Sequence, residues 1–218
     1  MRNSWSIGLN SWILTDGNYP DFQTGQERQF ALEFHSGSFE NSDSQIKSAE
    51  ILDRSTYRIN GLVSYIDSEM WVLDFGVQAY RHRCIDCVPG SGRPEASISE
   101  ETFVSNLKVG QYVQAKIHLS VDSYSYMEHL CDNVGVPPLI YTWTIDAIYK
   151  QCGPMIKGPA DKNLPSGYFM IDEKNAKWHK VEFTLDRIED FQGEMELQCT
   201  LSQVEPTADG KPLANWDG

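Results

Sequence analysis

No stretch of this chain stays apolar long enough to span a membrane, and its opening residues, MRNSWSIGLNSW, lack the apolar run of a secretory leader. The expectation is a cytoplasmic protein with no membrane part. Basic residues are scarce: 18 Lys and Arg stand against 31 Asp and Glu, for a net charge of −13. Such a field repels a phosphate backbone at long range and attracts a basic protein, so nucleic acid is the disfavoured partner and a basic protein the favoured one. The five cysteines are odd in number and unevenly spaced, which fits reduced thiols and not a disulfide framework. No G-x-S-x-G elbow, Walker loop, dinucleotide fingerprint or H-E-x-x-H pair occurs, so no motif assigns catalysis. Repeats and low-complexity tracts are absent as well.

What the chain has in quantity is alternation. In YVQAKIHLSV, Val113, Ala115, Ile117, Leu119 and Val121 share one face, and Gln114, Lys116, His118 and Ser120 share the other, the pattern of a half-buried strand. YRINGLVSYIDSEMWVLDFGVQAY reads as a hairpin with Ile59, Val63 and Tyr65 on one arm and Trp71, Leu73, Phe75 and Val77 on the other. Gly61 and Gly76 inside it mark bends of the kind that curl a sheet into a barrel. LIYTWTIDAIY gives a further strand, SWILTD and RQFALEF two more, and KVEFTLDRIEDFQGEMELQCTLSQV a second hairpin in which Val181, Phe183 and Leu185 face Met195, Leu197, Cys199 and Leu201. Helix signals are few: SISEETFVSNL with a capping box from Ser97 to Glu100, VDSYSYMEHLCDNVG, and weakly SDSQIKSAEIL. The expected fold is mainly β: a curled antiparallel sheet forming an OB-like or Greek-key barrel, with a β-sandwich as the alternative and one to three short helices. A single domain is expected over residues 1–204, best patterned from 56 to 150, with a loose tail from 205 to 218.

Four features carry chemistry. Cys84 and Cys87, spaced C-x-x-C in a turn after His82, could supply half of a zinc site. His129 and Cys131 are the nearest second pair, but residues two apart on a helix point about 200° from each other, and a pair of reduced thiols in a turn is the default reading. Arg81, His82, Arg83 and Arg93 form one basic patch, and Lys150, Lys157, Lys162, Lys174, Lys177, His179 and Lys180 another. If the two met, with Tyr80, Tyr112, Tyr124 and Tyr126 as stacking platforms, they would bind an anion or a single strand. Asp74, Asp146 and His118 sit on the polar sides of their strands, where a barrel mouth would make them site residues and solvent would make them ordinary. Tyr19 and Phe22, set among Asp16, Asp21 and Glu27, either anchor a basic partner or fold over one end of the barrel.

An acidic, compact β chain without a catalytic motif is similar in overall character to the acidic bacterial immunity proteins that neutralise basic toxin domains. That likeness rests on charge and composition, and it implies a non-enzymatic inhibitor or adaptor that captures a basic protein by electrostatic steering. The alternative from another class is an OB-like binder of nucleic acid or a small anion using the segments 81–93 and 150–180.

Overall fold

The computed structural model describes residues 4–10, 13–14, 19, 21–83, 95–157, 169–172, 174–184, 194–203 and 205–206. Its strands, in chain order, are β1 (Ser4–Leu9), β2 (Glu27–Phe30), β3 (Leu32–Asn41), β4 (Ser48–Asp53), β5 (Thr56–Ile66), β6 (Met70–Asp74), β7 (Gln78–His82), β8 (Tyr112–Val121), β9 (Tyr141–Cys152), β10 (Met155–Lys157), β11 (Phe169–Ile171), β12 (Lys177–Val181) and β13 (Met195–Leu201). Helix α1 (Glu95–Val104) lies between β7 and β8, and a π-helical turn, Tyr126–Leu130, follows β8. No helix among the described residues is long and apolar enough to cross a membrane.

The alternating residues of β8 bury Val113, Ile117, Leu119 and Val121, and that face lines a closed barrel. β8 pairs antiparallel with β3, β3 parallel with β7, β7 with β6, β6 with β5, and β5 returns to β8. Register shifts at Ser36/Phe39 in β3 and Val63/Tyr65 in β5 supply the curl. Gly76, at φ +117°, turns β6 into β7, a backbone state that a side chain resists. Phe103 of α1 stacks on Phe39 at 5.9 Å between ring centroids. The fold is mainly β with an OB-like barrel, as the alternation implied.

The same sheet runs on beyond the barrel. β1 pairs with β13 and β13 with β9, whose far edge carries β2 and β12. β8 joins the two parts. One of its edges is bordered by β3. The other is bordered by β5 as far as His118 and then by β1, which makes a single parallel bridge, Gly8 to Ser120. One apolar cluster runs through both parts and includes Trp5, Phe30, Trp71 and Trp143. A smaller cluster, with Met70, Val72, Tyr80, Tyr126, Leu130 and Ile140, seals the outer face of β6 and β7 under the segment that follows β8.

Several expectations are corrected. The first strand is Ser4–Leu9, whereas Ile13 and Leu14 of SWILTD are helical and buried. The weak helix in SDSQIKSAEIL is instead the extended strand β4, paired with β5. The second hairpin does not form as drawn: Val181 pairs with Ile148, and β12 and β13 lie on opposite sides of β9. VDSYSYMEHLCDNVG makes one π turn and no long helix. Leu185 and the tail from 207 to 218 lie outside the described residues.

Candidate functional site

The basic patch on β7 is spent on the fold. Arg81 makes a two-pronged ion pair with Glu100 of α1 and donates to the Phe34 carbonyl at 3.2 Å. Arg83 pairs with Glu101 and donates to the Asp67 carbonyl at 2.7 Å. Between β7 and β12 in the sheet lie β3, β8, β1, β13 and β9, so the described parts of the two basic segments do not meet. Arg93, Cys84 and Cys87 lie outside the described residues. Among the described residues no three His, Cys, Asp or Glu side chains converge as metal ligands, and His129 is exposed beside Glu128. Asp74 accepts from Lys47 Nζ at 2.5 Å and from the Gly76 amide at 3.1 Å, a turn-holding role. Asp146 is exposed and accepts from the Thr200 hydroxyl at 2.7 Å. Tyr19 and Phe22 take the second of their two readings: both rings are buried, Tyr19 stacked on Tyr124 at 4.9 Å and Phe22 edge-on to Phe30, so neither offers an exposed anchor. Their apolar area is worth more inside than in water.

His118 is different. At this residue β5 gives way to β1 along the edge of β8, and the divergence opens a cleft of about 720 Å³ at the seam where the barrel meets the strands beyond it. That volume lies within the range of small-molecule sites. The turn between β4 and β5 overhangs it. Arg54, held there at φ +49°, lays its guanidinium over the Trp178 ring at 4.3 Å and comes within 3.6 Å of Glu196 Oε1. Glu196 of β13 is buried. Its Oε1 also accepts from the Ser6 hydroxyl at 3.3 Å, while Oε2 meets no hydrogen-bond partner. Gly8 forms the near wall: a Cβ there would stand 2.7 Å from His118 Nε2, so only glycine lets the imidazole lie against β1.

Burial shifts the titrating groups. It lowers the pKa of His118, with Glu194 pulling the other way, and it lowers that of His35, with Glu33 opposing and Arg81 and His118 reinforcing. Both imidazoles are therefore neutral near pH 7. Burial raises the Glu196 carboxyl above its usual range, and Arg54, Ser6 and the Ser55 amide draw it back. The Ser55 hydroxyl lies 3.1 Å from His118 Nδ1 and 3.4 Å from Nε2. Near-equal distances place the oxygen beside the ring edge, off the line of either lone pair, which suits a wall contact and not a base drawing a proton from a nucleophile. The arrangement can bind and orient. His118 and Ser120 are the residues here that the alternation of β8 placed on its polar face. Gly8, Arg54, Ser55, Trp178 and Glu196 come from β1, the β4–β5 turn, β12 and β13, and no local spacing links them.

Comparison with protein-family models, with curated proteins and with solved structures found no match to this chain.

Proposed function

We propose that the protein is a non-enzymatic binding protein that captures a basic protein, adding a strand of its partner to the outer edge of β4. The observation that carries this is the edge itself. β4 pairs only with β5 among the described residues, and Ile46, Ile51 and Leu52 stand exposed along it or just before it. An open edge with apolar side chains is a template for a further strand. In and around this edge stand Asp43, Glu50, Asp53 and Asp74 against Lys47, Arg54 and Arg58. Lys47 and Arg58 are themselves held by Asp74 and Glu50, so the remaining charge there favours a cationic strand. The opposite edge, β12, carries Lys177 and Lys180, which discourage the same pairing.

Two findings support this reading over the nucleic-acid alternative. An OB-like barrel ordinarily meets oligonucleotides on its second and third strands, and here the outer face of the corresponding hairpin, β6–β7, is filled by Tyr126, Leu130 and Ile140. The arginines of β7 are neutralised by α1. The same proposal places the protein in the cytoplasm, where a thiol such as buried Cys199 stays reduced.

The test is a native purification at low and high salt, followed by hydrogen exchange on the isolated complex. A basic protein that is released by salt, that protects the β4 amides and that binds Ile51→Lys at least about tenfold more weakly is the expected outcome. Unprotected β4 amides in the complex, or retained nucleic acid in place of protein, would overturn it.

A further inference from the structure

Side chains directly opposite one another on neighbouring strands share a face of the sheet and form rows across it. Three such rows reach β4. Ile117 of β8, Tyr57 of β5 and Ile51 of β4 make one, and Ala115, Ile59 and Ala49 make another. Both lie on the inner face, where Tyr57, Ile59, Ala115 and Ile117 belong to the core and Ala49 packs against it. Tyr57 and Ile117 are buried, whereas Ile51 is 38% exposed. Among the described residues no strand lies beyond β4, so the apolar row stops at Ile51 with one side still in water. Between these two rows, on the outer face, Lys116, Arg58 and Glu50 make the third, which ends on its carboxylate. Arg58 Nη1 donates to Glu50 Oε2 at 2.8 Å, yet the Glu50 side chain is 66% exposed and its outer side can accept again. An exposed pair of this kind contributes little by itself, and a cation beyond Glu50 would set the carboxylate between two positive groups.

We propose that the strand captured by β4 has a fixed order, apolar–basic–apolar: a Lys or Arg beside Glu50, with apolar residues beside Ile51 and Ala49. This rests on the reading of β4 as the docking edge, and it adds which segment of a basic partner that edge selects. Each row then continues in kind. The apolar residue covers Ile51 and extends the core outward, and the cation answers Glu50 on the solvent face. Side chains alternate with a period of two, so a slip of one residue would set the cation against Ile51 and an apolar group against Glu50. The edge therefore reads the order of the residues and not the charge of the partner alone.

The probes are three capped heptapeptides: alternating lysine and valine, the same residues gathered into a lysine block and a valine block, and alternating glutamate and valine. Each is titrated into the full chain, and the amide shifts of Glu50 and Ile51 give the site and the affinity. The block peptide carries the same charge as the first, so general attraction to a chain of net charge −13 cancels between them. The expected result is saturable binding of the alternating lysine peptide, at least about tenfold tighter than either control. Glu50→Lys, at an exposed position, should reverse the preference toward the glutamate peptide, and Ile51→Thr should weaken the lysine peptide by about fivefold. Equal binding of the block peptide, no saturable shift at β4, or an unreversed preference in Glu50→Lys would overturn the inference. The two readings fail separately. A natural complex that protects the β4 amides, with peptides that show no preference, keeps the edge and removes the order. Unprotected β4 amides in that complex remove both.

Discussion

The two flanks of the barrel are treated in opposite ways. On the β6–β7 flank, the segment after β8 lays Tyr126, Leu130, Leu139 and Ile140 over the strands and leaves a dry second core. Its polar groups are closed on themselves: Asp122 accepts from the Tyr80 hydroxyl and from the amides of Tyr126 and Met127, and Tyr126 bridges the Pro137 carbonyl and the Leu139 amide. On the flank where β5 gives way to β1, His118 and Ser120 of the polar face of β8 line an open cleft. The contrast teaches that this chain has turned the face on which an OB-like barrel ordinarily binds into structure.

The largest blow to that picture falls on the sealed flank and the barrel beneath it. Trp71 is fully buried and lies edge-on to Phe34 and Phe39. Trp71→Ala should cost roughly 3–5 kcal/mol, read by denaturant unfolding. An unchanged unfolding midpoint would mean that β6 is not a barrel strand.

A smaller effect tests the closed polar network. Burial pushes the Asp122 carboxyl from 3.8 to about 6, against the pull of Tyr80 and the two amides. A group whose pKa is raised on folding contributes stability that is fully present below its unfolded pKa and is lost as pH rises through the folded value. Wild type should therefore lose stability relative to Asp122→Asn between about pH 4 and 7, on the order of 2–3 kcal/mol. Parallel pH profiles for the two proteins would show that the flank is wet and not sealed.

The smallest effect sharpens the description of the open flank. Gly8→Ala sets a methyl against His118 Nε2 and against the Leu119 carbonyl at 3.2 Å. A cost of about 1–2 kcal/mol is expected, with the imidazole pushed outward and its pKa moving back up toward the ordinary histidine value as it regains water. NMR titration of His118 reads this directly. An unmoved pKa would show that β1 does not enclose the ring.

The barrel was legible in the chain and the cleft was not, for a physical reason. Alternation is local, so Val113 to Val121, the arms around Trp71 and the strand around Trp143 announced themselves. Glycine at 76 announced the bend between β6 and β7. The turn chemistry of 42–47 resembled a helix start, yet Asn60 holds the Ser44 and Ile46 carbonyls in an extended entry to β4, a tertiary contact with no local signature. β12 was misjudged because its partner β9 is distant in sequence and no local pattern names it. Arg81 and Arg83 read as a ligand patch because their partners, Glu100 and Glu101, belong to a helix whose docking the sequence does not state. The cleft needs residues from opposite ends of the chain, such as Gly8 and Glu196, which face each other in the β1–β13 register.

That register has a consequence in time. Ser4 pairs with Thr200 and Leu9 with Met195, so β1 finds its antiparallel neighbour only after all of the intervening strands have been made. Ribosomal synthesis runs at about 5–20 residues per second, and over that interval Trp5, Ile7 and Leu9 form an apolar strand without its mate. The β1–β13 pairing closes a loop that spans most of the fold. Contacts this distant in sequence make for slow folding, and a strand kept waiting is where a chaperone would be needed first.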